Sequence, residues 1–120
     1  MGDNRAVPKH VDMSRSDGSP VCRARVASSF LSRFRGLMLT ASLAPGTGLL
    51  FPRTSSVHTH FMRYAIDVVF LDADDRVVRI AAALRPWRFA AARGANAVLE
   101  LGAGECERLG VAAGDELRRA

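Results

Sequence analysis

Apolar and polar positions follow a β-type pattern most densely between Ser55 and Ile80, in the stretch SSVHTHFMRYAIDVVFLDADDRVVRI. Alternation from Val57 to Tyr64 predicts one extended strand. Val57, Thr59, Phe61 and Arg63 share one face of it, and His58, His60, Met62 and Tyr64 share the other, because successive side chains of a strand point to opposite sides. The run Asp67 to Leu71 is short, β-branched and aromatic, and reads as a strand buried on both faces. Three carboxylates fall between Asp72 and Asp75, where Asp favours a turn through its own backbone hydrogen bonds. Arg76 to Ile80 resumes the β-pattern, so strand, acidic turn and strand predict a hairpin.

The flanking chain is read the same way. Residues 1–19 mix charge, Gly, Pro and Ser with few large apolar side chains, which predicts a flexible tail. Residues 20–120 then form a single domain whose first strand, half exposed, is Val21 to Ala27. Ser28 and Ser29 offer an N-cap, and Phe30, Leu31, Phe34, Leu37 and Met38 recur at helical spacing, which predicts a short amphipathic helix. Leu43 to Gly48 is a loop, and Leu49 to Phe51 a short strand stopped by Pro52. Ala81 to Leu84 extends the second hairpin strand up to Pro86. Trp87 to Ala92 fits either a strand or an irregular connection. Ala97 to Leu101 is a further strand candidate, Glu105 to Leu109 about one helical turn ended by Gly110, and Val111 to Leu117 a closing turn and strand.

Composition changes this picture little. A chain of 120 residues with 48% hydrophobic content fits one domain with its own core. No run of 18 apolar residues exists, which argues against a membrane-spanning helix, and the first 20 residues lack an apolar signal region, which points to the cytoplasm. In that compartment Cys22 and Cys106, far apart and without a CxxC unit, read as small buried side chains. The net charge is +5 and the pI about 10.5. The basic residues are scattered and almost all Arg, with Lys9 the single lysine, so compositional bias explains them and nucleic acid is not the expected partner.

Six segments taken together resemble a known family: Phe34 to Met38, Gly48 to Phe51, His58 to Asp72, Pro86, Val98 to Gly104, and Gly110 to Asp115. In that order they are similar to the bacterial and archaeal family called domain of unknown function 192, over roughly residues 21–118. The resemblance implies one mainly β domain, an antiparallel jelly-roll-like sandwich or barrel with one or two short helices, and no activity. His60-Phe61-Met62 stands where the family usually has an aromatic pair and Met, which makes this strand more polar.

Three constellations are candidates for chemistry. His58 and His60, two apart on the predicted strand, form a bidentate imidazole pair that a third ligand such as Asp67 or Glu100 would complete as a divalent-metal site; the plainer reading is two imidazoles bonded to ordinary neighbours. Asp67, opening a buried strand, needs a partner, and Arg35 or Arg63 supplies either a structural ion pair or a guanidinium fork for an anion. Trp87, beside Arg85 and Arg88, is expected to cover the end of the core, with a partner-binding rim as the other reading. No nucleophile elbow, P-loop or dinucleotide fingerprint is present. The leading expectation is a non-enzymatic binding module whose polar cleft, formed by Arg35, His58, His60, Met62, Arg63 and Asp67, takes a small polar or anionic ligand or a protein partner. The alternatives are a metal-dependent enzyme using His58 and His60, and an accessory in a larger assembly.

Overall fold

The computed structural model describes residues 10–27, 43–60 and 62–120. The expected helix over 30–38, with Arg35 and the Ser28–Ser29 cap, and the motif from Phe34 to Met38 lie outside the described residues. Those described are mainly β, in a curled seven-stranded sheet, a two-stranded ribbon and one short helix.

The seven strands are β1 (His10–Arg15), β2 (Pro20–Val26), β3 (Thr47–Pro52), β5 (Ile66–Leu71), β6 (Val77–Leu84), β8 (Ala97–Gly102) and β9 (Leu117–Arg119), and β4 (Ser56–His58) pairs with β7 (Phe89–Ala91) in the ribbon. The order across the large sheet is β6-β5-β8-β3-β2-β1-β9. Its two edges meet at one end: Arg76 bridges Glu116, Val77 donates to the Asp115 carbonyl at 2.8 Å, and Arg119 pairs with Asp75 at 2.7 Å. The sheet therefore closes on itself there, which shields edge strands that would otherwise present unpaired backbone.

Two expectations are corrected. The strand β1 occupies part of the stretch predicted to be a flexible tail, because Val11 and Met13 alternate with polar neighbours and face the core. The sheet is also not wholly antiparallel: β2 and β3 run parallel, Arg23 opposite Thr47 through Val26 opposite Leu50. Parallel neighbours need a long crossover, and residues 27–46 between them are long enough to supply it. The 67–80 hairpin forms as expected, between β5 and β6.

Strand alternation sorts the core into two clusters, one on each side of the sheet. Val69, Leu71, Leu99, Leu101, Leu50, Met13 and Cys106 fill one side. Ile66, Val68, Phe70, Val98, Phe51, Val57, Met62 and Ala90 fill the other. The ribbon lies over the second cluster, since Val57 and Ala90 point into it while their neighbours His58 and Phe89 are exposed. Every residue of β5 is buried, as the apolar run Val68 to Leu71 predicts.

Candidate functional site

Asp67, the one carboxylate in β5, sits 1% exposed. Its Oδ1 accepts from the Ala83 backbone N–H at 2.8 Å, and its Oδ2 accepts from that of Cys106 at 2.9 Å. The first bond fixes a bulge. Ile66 pairs with Leu84 and Val68 with Ala81, so β6 carries an extra residue there, and Ala83 takes φ 49°. The second bond caps α1 (Glu105–Leu109), which has no side-chain cap of its own at Gly104. Among the described residues Asp67 forms no ion pair: Arg63, one of the two expected partners, is exposed, and backbone donors meet the buried carboxylate, while Arg35, the other, lies outside the described residues. Charge-assisted bonds of that kind offset the cost of burying a carboxylate.

The bulge re-aims β6 into the turn Arg85-Pro86-Trp87-Arg88, which leads to β7. Thr59 receives that turn. It is fully buried, its hydroxyl donates to the Arg85 carbonyl at 2.6 Å and accepts from the Arg88 N–H at 2.9 Å. Its own N–H donates to the Arg88 carbonyl at 2.8 Å, and its carbonyl accepts from Trp87 at 2.9 Å and Met62 at 3.1 Å. This is why the single strand expected from Val57 to Tyr64 ends at His58. The Met62-to-Thr59 bond closes a turn, which brings His60 out of the strand and Met62 into the core at 5% exposure.

Above Thr59 stands a ledge of rings. The His58 and His60 rings lie 4.8 Å apart, and His60 meets the Trp87 indole edge-on at 5.3 Å and 82°. Phe89 stands opposite His58 in the ribbon register. Trp87 is 60% exposed and Phe89 66%, so the expectation that Trp87 covers the core is corrected. Trp87 holds φ 63°, a left-handed conformation that a bulky side chain adopts at a cost of about 1–2 kcal/mol. The turn bonds to Thr59 fix it there. Arg79 of β6 donates to the Ala91 carbonyl and ties the ribbon to the main sheet.

Of the expected site residues, the structure brings His58 and His60 together, sends Met62 and Asp67 into the core and leaves Arg63 exposed. The pair opens, among the described residues, on a ledge of rings; Arg35, the remaining residue of the expected cleft, lies outside them. Among the described residues no third His, Cys, Asp or Glu joins the two imidazoles, and Asp67, one of the two expected third ligands, bonds to backbone N–H groups. Glu100, the other, is fully buried between Val68 and Leu49 in the strand register. Two grooves among the described residues, about 360 and 480 Å³, lie along β1 and β2 and are lined by residues other than these rings. Burial pushes both thiols up to about 12, with repulsion from Asp12 and Glu105 at Cys22 and from Asp67 at Cys106. Both are free and belong to one buried cluster. Such thiols are poor nucleophiles.

Thr59, Trp87 and Phe89 are the residues that sequence reasoning missed or misplaced. A signal existed for the first: Thr59 sits on the inward face with Val57, where a small polar side chain needs a partner.

A family model described as an uncharacterized ACR, domain of unknown function 192, matches residues 12–119. A UPF0127 protein of Thermococcus sibiricus is 38% identical over 100 residues, covering 79% of this chain and 64% of that protein. The chain thus spans less than two thirds of that relative's length. A UPF0127 protein of Pyrococcus furiosus is 40% identical over 100 residues, covering 78% and 83%. A crystal structure of a Novosphingobium aromaticivorans protein of unknown function superposes with a TM-score of 0.75 at 28% identity, covering 91% of this chain and 83% of that one. A Sinorhizobium meliloti protein, provisionally described as a transcription regulator, superposes with a TM-score of 0.77 at 26% identity, covering 92% of each.

Proposed function

The chain belongs to the domain of unknown function 192 family, and from that premise we propose that it is a non-catalytic binding module whose contact surface is the ledge of His58, His60, Trp87 and Phe89. The observation that carries this reading is Trp87: a large aromatic side chain 60% exposed, in a left-handed backbone, on a turn held by a buried threonine. Backbone strain kept in place by surrounding bonds clusters at sites that bind or react. Exposed aromatic anchors with an apolar body and a polar tip are typical of contact surfaces.

The partner is anionic. Five arginines, Arg53, Arg63, Arg85, Arg88 and Arg93, stand in the two segments that build the ledge, all of them exposed. No Asp or Glu occurs between Arg53 and Ile66 or between Val77 and Leu99. The acidic side chains Asp72, Asp74, Asp75, Asp115 and Glu116 gather instead at the turns where the sheet edges meet. The geometry favours association over chemistry, since no described nucleophile stands beside a base here.

The experiment is an NMR titration with inorganic polyphosphate. The imidazole signals of His58 and His60 and the indole N–H of Trp87 shift together at millimolar probe or below, and the shifts fade as salt rises. Unmoved ring signals at millimolar polyphosphate would remove this reading.

A further inference from the structure

Resting on the anionic-partner reading above, we infer that the ledge binds single-stranded nucleic acid, the rings stacking on bases and the arginines following the phosphates. Three observations bear on the choice of partner. The first is the kind of exposed surface. Trp87, Phe89, His58 and His60 offer flat faces, whereas an acidic peptide needs only cations. Every base has a π-face, so aromatic platforms combined with a basic track are the chemistry by which proteins hold single strands without reading sequence.

The second is how the fold gathers what the sequence scatters. Arg63, Arg85 and Arg88 stand at the Trp87 end of the ribbon. Arg53 and Arg93 stand at its other end, where Ala92 donates to the Ser55 carbonyl and Thr54 to that of Asn96. Antiparallel pairing of β4 with β7 lays two separate stretches side by side and turns them into one cationic strip. Arg63, Arg85, Arg53 and Arg93 are exposed, and none forms an ion pair with another described residue.

The third is rigidity. Thr59 and Arg79 fix the ribbon at both ends, so Trp87 and Phe89 meet a ligand already oriented. Preorganisation of that kind lowers the ordering cost of binding. Duplex DNA keeps its base faces stacked inside, which leaves these rings nothing to stack on.

The test uses the full chain and a fluorescently labelled oligothymidylate of about 12 nucleotides, within the span of known single-strand site sizes. Trp87 is the sole tryptophan, so its emission reports contact directly. The expected result is quenching of Trp87 and binding that weakens with salt at a log–log slope of roughly −2 to −3.5, for three to five phosphates neutralised. The Arg85→Ala/Arg88→Ala variant makes that slope shallower by about 1.4. Trp87→Gly weakens binding about 5- to 100-fold, read by anisotropy of the label. Because glycine suits a left-handed position, this variant keeps its melting temperature, which separates lost contact from lost fold.

The other outcomes discriminate. Polyphosphate of equal charge binding as tightly as oligothymidylate, with the ring signals shifted by polyphosphate but Trp87 unquenched by the oligonucleotide, overturns the nucleic-acid inference and leaves the anionic-partner reading standing. So does tighter binding of a poly-glutamate peptide, or of a duplex. No binding of any polyanion at low salt overturns both.

Discussion

Replacing Thr59 by Val removes one hydroxyl and keeps the side chain's shape. In the native chain that hydroxyl donates to the Arg85 carbonyl at 2.6 Å and accepts from the Arg88 N–H at 2.9 Å. A net hydrogen bond contributes about 1 kcal/mol, and a buried group left without a partner costs about 1–3 kcal/mol. Thr59 is fully buried, but Arg85 and Arg88 are exposed, so water reaches part of the freed backbone. The loss is therefore expected near the low end, about 2–3 kcal/mol. With an unfolding entropy of about 2.1 cal/mol/K per residue, a chain of this length loses roughly 4 °C of melting temperature per kcal/mol, or about 8–12 °C. Two local consequences follow. The 85–88 turn loosens, and Trp87 no longer has to hold its left-handed backbone. Thermal melts followed by circular dichroism give the first number. Tryptophan emission and acrylamide quenching give the second, with a redder and more quenchable spectrum in the variant. Thr59→Ser keeps the hydroxyl and is expected to preserve the native spectrum with a smaller loss of stability. A Thr59→Val protein that melts within about 2 °C of the parent, with unchanged emission, would refute the claim that this hydroxyl holds the ledge.

Two further predictions rest on the core beneath. Asp67→Asn keeps one acceptor but places an amide N–H₂ against a buried N–H, so it is expected to cost about 2–4 kcal/mol by urea denaturation; a loss under about 1 kcal/mol would show that the Ala83 and Cys106 bonds are dispensable. Both thiols hold their protons up to about 12, above the unfolded value, so their contribution is complete below the unfolded thiol range and fades as pH rises toward 12. Stability should fall from about pH 9 upward, less steeply in a Cys22→Ala/Cys106→Ala variant; identical slopes would disprove the thiol contribution.

Much of the fold is legible in the chain itself. The β5–β6 hairpin, β2, β3, β8, the helical turn at Glu105 and the closing strand all follow from local pattern, because each depends on alternation, turn residues and Gly stops within a few positions. The site was only half legible. Alternation alone carried the expected strand past His58, whereas a partner 26–29 residues away in sequence, at Arg85 and Arg88, bends it at Thr59. The same periodicity assigned Met62 to the imidazole face, yet the turn it closes puts that side chain in the core.

By itself, then, the sequence determined most of the large sheet's strands, though not β1 or the end of β4, that Asp67 would be buried and in need of partners, and that the two imidazoles would be near each other. Tertiary structure decided who those partners are. It gave Asp67 two backbone donors from a bulge and a helix start, set Trp87 in the open instead of in the core, and joined two acid-free stretches into one cationic ribbon. The physical reason is range: alternation and turn chemistry act between neighbours, whereas burial, hydrogen-bond partners and surface charge depend on which distant strands the chain lays side by side.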